Sequence, residues 1–399
     1  MKILLVEPET KGHFISLYVY TVLKSLKGKA NIYLLTSKKI LKLEIFKILK
    51  SENKNLKFLF CEDLLYTKNK FFLNLLLNQF KNYKNLSLSI KKYNKINKFD
   101  KIVFTNLDHI DKAACFFSDP FDSIKFSGIL VNPRVHQFEN KKKISLKYLI
   151  YKYLLNKLVM NKNLEKIYSN DILFYNFSKK NNLYKKICFF NEPVNLVKKK
   201  SKIKNSIIKN YLNILVYGAI RNSKSLEELI DVTQEIKKSI KINIIVAGEQ
   251  NDEANYILKK KNLKKKNVEI NFKIFNRFIH PNEEAYLFSN VDVVWCVYKN
   301  TPLGSSGVFH ISNNYQKPVL TNDLGLVGWY NKRYKLGPVL KFKNSKDFSN
   351  SCKSILELHT NQKKYKYYKQ NQSSLYNQLK KQKKLEELIG QDLIRDRVN

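Results

Sequence analysis

Apolar residues along this chain alternate between two textures. Short uninterrupted runs such as KILLVEP (2–8), NIYLLTS (31–37), LKFLFCE (56–62), DKIVFTNL (100–107) and FSGILVNP (126–133) read as strands buried on both faces. Between them lie stretches with apolar positions three and four apart, the spacing of a helix face. GHFISLYVYTVLKSLK (12–27) is one, carrying Ile15, Tyr18, Val22 and Leu26; others cover about 38–50, 70–95 and 144–161. LEKIYSN (164–170) reads as a sixth strand. Repeated β-α-β units predict a parallel sheet covered on both sides.

Residues 186–211 break the rhythm, running from a last strand through Pro193 into a lysine tract. The pattern then restarts. LNILVYGAI (212–220), INIIVAGEQ (242–250), VEINFKIF (268–275), VDVVWCVY (291–298), a short strand at 318–322 and GPVLKF (337–342) read as strands. Helices are expected over 223–239, 252–262, 281–289, about 307–316 and from 345 onward. The fold class is therefore α/β, with two doubly wound Rossmann-like domains. The expected boundaries are 1–196, 197–365 and a polar helical tail, 366–399.

Composition changes this picture in three places. A length of 399 residues exceeds one ordinary domain of roughly 100–200 residues and fits two. The formal net charge is +41, yet only six of the 74 cationic side chains are arginine. Sites that clamp phosphates or read bases favour the planar, bidentate arginine fork, so a lysine excess reads more as compositional bias than as a nucleic-acid surface. The five cysteines are odd in number, far apart and without a C-x-x-C, as in a reduced cytoplasmic protein. Met1-Lys2 leads straight into a strand with no leader, and no run approaches the ~18 apolar residues of a membrane span. Finally, glycine is scarce: there are 11, and seven lie between Gly218 and Gly337. That concentrates interest in the second half.

Several chemistries are missing. There is no G-x-G-x-x-G, no P-loop, no G-x-S-x-G elbow, no D-x-D and no zinc spacing among Cys and His, so no metal is expected. Two features are present. In VYGAIRNSKSLEELI, a strand ends at Gly218, and Arg221 and Lys224 follow before a helix. In TPLGSSGVFHISNNYQKPVLTND (301–323), Gly304, Ser305, Ser306 and Gly307 precede a helix whose first N–H groups and dipole suit an anion. A serine there equally serves as a plain cap.

These features, with FNRFIHPNEEAYLFSNVDVVWCVY between them, occur in an order that resembles the C-terminal domain of retaining GT-B fold glycosyltransferases, the family-4-like group (glycosyl transferases group 1). The resemblance covers about 212–340; the first half matches only in style, through MKILLVEP…GH and DKIVFTNLDH. It implies a glycosyltransferase that moves a sugar from a nucleotide-diphosphate sugar to a saccharide or lipid-linked acceptor in cell-surface polysaccharide or glycolipid synthesis, without metal or other cofactor. By the same resemblance the two domains would face a central cleft, with the tail 366–399 packing back towards the first domain. The diphosphate would lie on Gly218, Arg221, Lys224 and Gly304–Gly307, with Gly12 in the first turn of the other domain and Phe278 near the base. Asp108, His109 and His13 would be the catalytic or sugar-steadying groups. Family members carry E-x(7)-E; here the second Glu position is Ile311, the first falls on Leu303, and Gln316 replaces a usual Gly.

Other readings stay open: a sugar-nucleotide 2-epimerase of the same fold, a degenerate enzyme, or a nucleic-acid-binding protein. KKKISLKYLIYKYLLNKLVMNKN (141–163) alternates lysines with a broad apolar face. That suits a peripheral helix on the anionic inner face of a membrane, and equally an ordinary core-facing helix with a solvated lysine side.

Overall fold

A computed structural model describes the chain except for residues 11–13, 66–71, 140–144, 194–200, 204–205, 237–239, 263–269, 300–303, 383 and 396–399. It divides into two compact units, Met1–Pro193 with Gln382–Asn399, and Val194–Lys381.

In the first unit the strands are β1 (Lys2–Val6), β2 (Asn31–Ser37), β3 (Lys57–Cys61), β4 (Lys101–Phe104), β5 (Lys125–Ile129), β6 (Leu164–Ser169) and β7 (Ile187–Phe189). They pair in parallel in the order β3-β2-β1-β4-β5-β6-β7. The helices are α1 (Tyr20–Leu26), α2 (Glu44–Glu52), α3 (Phe72–Asn97), α4 (Asp111–Ala114), α5 (Leu146–Met160) and α6 (Ile172–Lys180). Alternate strand residues feed two cores. Leu4, Val6, Leu35 and Phe104 pack with α3, α5 and α6, whereas Ile3, Leu5, Leu34 and Val103 pack with α1. This is why the strand sequences are apolar at every position. Phe14–Val19 wind as a π-helical turn before α1, so the expected helix from 12 changes pitch midway.

In the second unit β8 (Leu212–Tyr217), β9 (Ile242–Ala247), β10 (Ile270–Phe275), β11 (Val293–Cys296) and β12 (Val319–Thr321) pair in parallel as β10-β9-β8-β11-β12. The helices are α7 (Leu226–Ile236), α8 (Asp252–Asn262), α9 (Pro281–Asn290), α10 (Gly307–Asn314), α11 (Gly325–Tyr334), α12 (Ser345–Thr360) and α13 (Gln362–Lys380). A last helix, α14 (Leu385–Arg395), belongs to the first unit, where Leu385, Leu388 and Ile389 bury against the α1 side.

Three expectations need correction. The segment 337–342 is not a strand: Val339 makes one isolated bridge with Thr321. Pro338 has no N–H to donate, leaving only its carbonyl and the Leu340 N–H to meet Thr321. Helix α11 falls where no helix was expected. The return to the first unit begins at Gln382 and not at 366, because Leu375 and Leu379 of α13 are buried in the second unit. The two parallel, doubly wound sheets themselves are as the patterning predicts.

Candidate functional site

Both sheets reverse strand order beside their first strand, at β1/β4 and at β8/β11. In doubly wound sheets, ligands bind beyond the carboxyl ends of the strands at such a point.

In the second unit, β8 ends at Gly218 with φ +89°, a conformation that favours glycine. A Cβ on Gly218 would lie 3.5 Å from Val308, so the strand exit abuts the first turn of α10. Gly248, at the end of β9, has φ +141°, and a Cβ there would meet the Gly218 carbonyl at 1.9 Å. Only glycine fits. The chain then makes one 3₁₀ turn, Asn222–Lys224, at the exit from β8. Arg221, just before it, is exposed. Lys224 is buried, and burial pulls its ammonium down to about 8. Among the described residues no carboxylate pairs with it. Its Nζ lies 5.3 Å from the Tyr298 ring centroid, and Trp295 Nε1 donates to its carbonyl at 2.8 Å.

Tyr298 links this cation to α10: its hydroxyl lies 2.8 Å from Ser306 Oγ, which in turn accepts from the Phe309 N–H and caps the helix. Ser305 Oγ lies 2.8 Å from His310 Nε2. His310 is buried, and burial holds it down at about 4, hence neutral near pH 7. Gly304 is buried. A Cβ on Gly307 would meet nothing within 4 Å, so the small residue leaves open space at the helix start. Lys299 braces the turn from the β11 side, with its N–H on the Ser223 carbonyl and its Nζ on Asn222 Oδ1 at 2.7 Å and Glu227 Oε2 at 2.9 Å.

Phe278 is 72% exposed after β10, on a turn that Arg277 holds through a two-pronged pair with Glu283 at 2.7 Å. Ile311 is half-buried on α10. Gln316 has φ +52°, a left-handed backbone that favours glycine.

In the first unit, Asp108 and His109 share one 3₁₀ turn after β4. The Asp108 carboxylate accepts from the Val131 N–H at 2.8 Å and the Asn132 N–H at 3.1 Å, which makes it a strut for the exit of β5. Burial and the neighbouring Asp111 push it up to about 6. The Asn106 amide nitrogen lies 2.9 Å from His109 Nε2, and burial holds His109 down at about 4. Beside them a pocket of about 210 Å³ is lined by Gln79, Asp108, His109, Lys112, Asn132 and Arg134, among others. A larger pocket of about 650 Å³ touches Met1, Asn31 and Leu56, at the amino ends of β1, β2 and β3 and away from these titratable groups. Gly12 and His13 lie outside the described residues.

Sequence reasoning missed Glu7, Tyr298 and Lys299. Glu7 is fully buried at the end of β1, where Thr105 Oγ1 donates to Oε2 at 2.7 Å and the Glu9 N–H to Oε1 at 3.0 Å. Burial pushes it up to about 8. The signal was an ionisable residue directly after ILLV. Tyr298 and Lys299 were legible only as the end of a strand.

Two parallel, doubly wound Rossmann-like units make up the GT-B fold. Residues 197–372 match the family described as Glycosyl transferases group 1. Among solved structures, HepE from Anabaena in complex with UDP-glucose is similar at 13% identity, with 99% of each chain covered and a TM-score of 0.63. Sucrose-phosphate synthase from Thermosynechococcus elongatus is similar at 11% identity, covering 99% of this chain and 97% of that one, with a TM-score of 0.65. WaaG, a glycosyltransferase involved in lipopolysaccharide biosynthesis, is similar at 11% identity, 98% coverage of each and a TM-score of 0.59. Such identities establish the shared fold. No curated protein matches by sequence.

Proposed function

We propose that the chain transfers a sugar from a nucleotide-diphosphate sugar to a saccharide or lipid-linked acceptor in the synthesis of a cell-surface polysaccharide or glycolipid. The transfer is metal-independent, retaining and cytoplasmic. The observation that carries this reading is Lys224, a buried lysine with no carboxylate paired to it among the described residues, tied through Tyr298 and Ser306 to the start of α10. Breaking the glycosidic bond builds charge on a diphosphate. Fixed donors in a dry site stabilise such charge far better than water-exposed ones do. Lys224 and Arg221 supply the cations. The first N–H groups of α10 supply oriented dipoles. With His310 Nε2–H donating to it, Ser305 Oγ keeps its own proton for a phosphate oxygen. Phe278 offers an exposed ring to the base. UDP is the first nucleotide to try, because HepE was solved with UDP-glucose.

In the first unit, Asp108 holds the β5 exit and leaves His109 as the group nearest the acceptor. With the Asn106 amide donating to Nε2, the His109 proton sits on Nδ1, so His109 donates a hydrogen bond and does not act as a resting base.

The test is a panel of sugar nucleotides with product analysis. Transfer to an added saccharide or lipid-linked acceptor is expected, with Arg221→Ala losing about tenfold or more in kcat/KM. A 2-epimerised sugar nucleotide formed without acceptor would replace this reading with the epimerase one. No product from any donor, together with an indifferent Arg221→Ala, would end it.

A further inference from the structure

Helix α5 is apolar on two opposite sides. Tyr148, Tyr151, Leu154, Leu155 and Leu158 face the core of the first unit and are buried. On the far side, at spacings of three, four and seven residues, stand Leu146, Leu149, Tyr153 and Met160. They are 73%, 50%, 55% and 79% exposed. A helix packed by one face normally carries polar residues on the other, so this stripe calls for a partner.

The charge around it is one-sided. Residues 140–163 contain seven lysines and no Asp or Glu. The nearest acids in sequence are already committed, Glu139 to Lys180 and Glu165 to Lys101. Lys147, Lys152 and Lys157 rest their ammonium groups over the rings of Phe138, Tyr148 and Tyr153 at 4.3, 5.7 and 5.8 Å, which keeps the charges beside the apolar stripe. At 15 residues α5 is too short to span a bilayer, and no helix of the described residues is long and apolar enough to do so.

We propose that the outer face of α5 docks on an anionic lipid bilayer. Leu146, Leu149, Tyr153 and Met160 enter the headgroup boundary, and the flanking lysines meet lipid phosphates. A second copy of the chain fits less well. Self-pairing would face one lysine-flanked stripe with another in a chain of net charge +41, and four side chains cover little of the roughly 800 Å² per partner that a stable interface buries. The inference rests on α5 alone and does not depend on the transfer reaction.

The test is co-sedimentation of the full chain with phosphatidylglycerol/phosphatidylcholine vesicles and with pure phosphatidylcholine vesicles. A chain this basic will feel any anionic surface, so the decisive comparison is between stripes. Leu149→Ser/Tyr153→Ser should weaken binding to the anionic vesicles about tenfold or more. The control Leu88→Ser/Ile96→Ser, on exposed leucine and isoleucine of α3, should not. Lys147→Gln/Lys152→Gln/Lys157→Gln should weaken it about a hundredfold, at roughly fivefold per lysine. All these sites except Lys152 are exposed, and unchanged melting temperatures confirm folding. Equal losses for stripe and control variants, or no binding by the parent chain, would overturn the proposal. So would a parent dimer in sedimentation velocity that the stripe variant dissolves.

Discussion

Glu7 is a carboxyl group buried at the end of β1, where Thr105 Oγ1 and the Glu9 N–H donate to it. Burial keeps its proton on up to about pH 8, whereas the unfolded chain releases it near the ordinary carboxylate range. Between those limits the folded state binds more protons than the unfolded one. Stability therefore falls as pH rises through that window. Glu7→Gln keeps the shape, donating to Thr105 and accepting from the Glu9 N–H. It should gain on the order of 2–4 kcal/mol over the parent near pH 8 and little near pH 5. Urea midpoints across the range would check this, and parallel curves for parent and variant would refute it. Ile311 and Gln316 carry a different lesson at this scale. Both departures from the family pattern were legible in the sequence. What the sequence could not give was that Gln316 still adopts the left-handed backbone of the glycine it replaces.

At the scale of elements, patterning located every described strand and added one that does not form, because strands apolar at each position leave few alternatives. The exception, 337–342, was decided by one missing N–H at Pro338, a detail of pairing that periodicity does not see. Register is pinned by a different device. Asn213, Asn243 and Asn271 stand side by side across β8, β9 and β10, bonded at 2.7 and 2.6 Å, so a slip by one residue would strand buried amides. Helix α14 shows why the tail could not be placed from its sequence. Its polar texture hides a compact apolar set, Leu385, Leu388 and Ile389, that only the α1 surface explains. Ile389→Ala should cost about 2–5 kcal/mol, read as a lower urea midpoint for the first unit. A change under about 0.5 kcal/mol would mean that α14 is not part of that core.

For the whole molecule, the net charge of +41 was the loudest feature of the sequence and the least informative about chemistry. Lysines spread by composition cannot be told apart by counting. Burial tells them apart: Lys224, out of water and with no carboxylate paired to it among the described residues, is the cation that burial marks out at the switch point of the second sheet. The order Gly218, Lys224, Gly304–Gly307 made that turn legible beforehand. The Tyr298–Ser306 link between lysine and helix was not, since it joins residues through space. The central claim is that this buried cation holds a nucleoside diphosphate. Titration calorimetry with UDP, for the parent and for Lys224→Met, tests it between about pH 7 and 9.5. Below about 8 Lys224 is charged, so parent affinity should be level there and fall as pH rises above about 8. The Met variant should bind at least about tenfold more weakly and show no break near pH 8. Equal affinity and equal pH dependence for the two proteins would contradict the account.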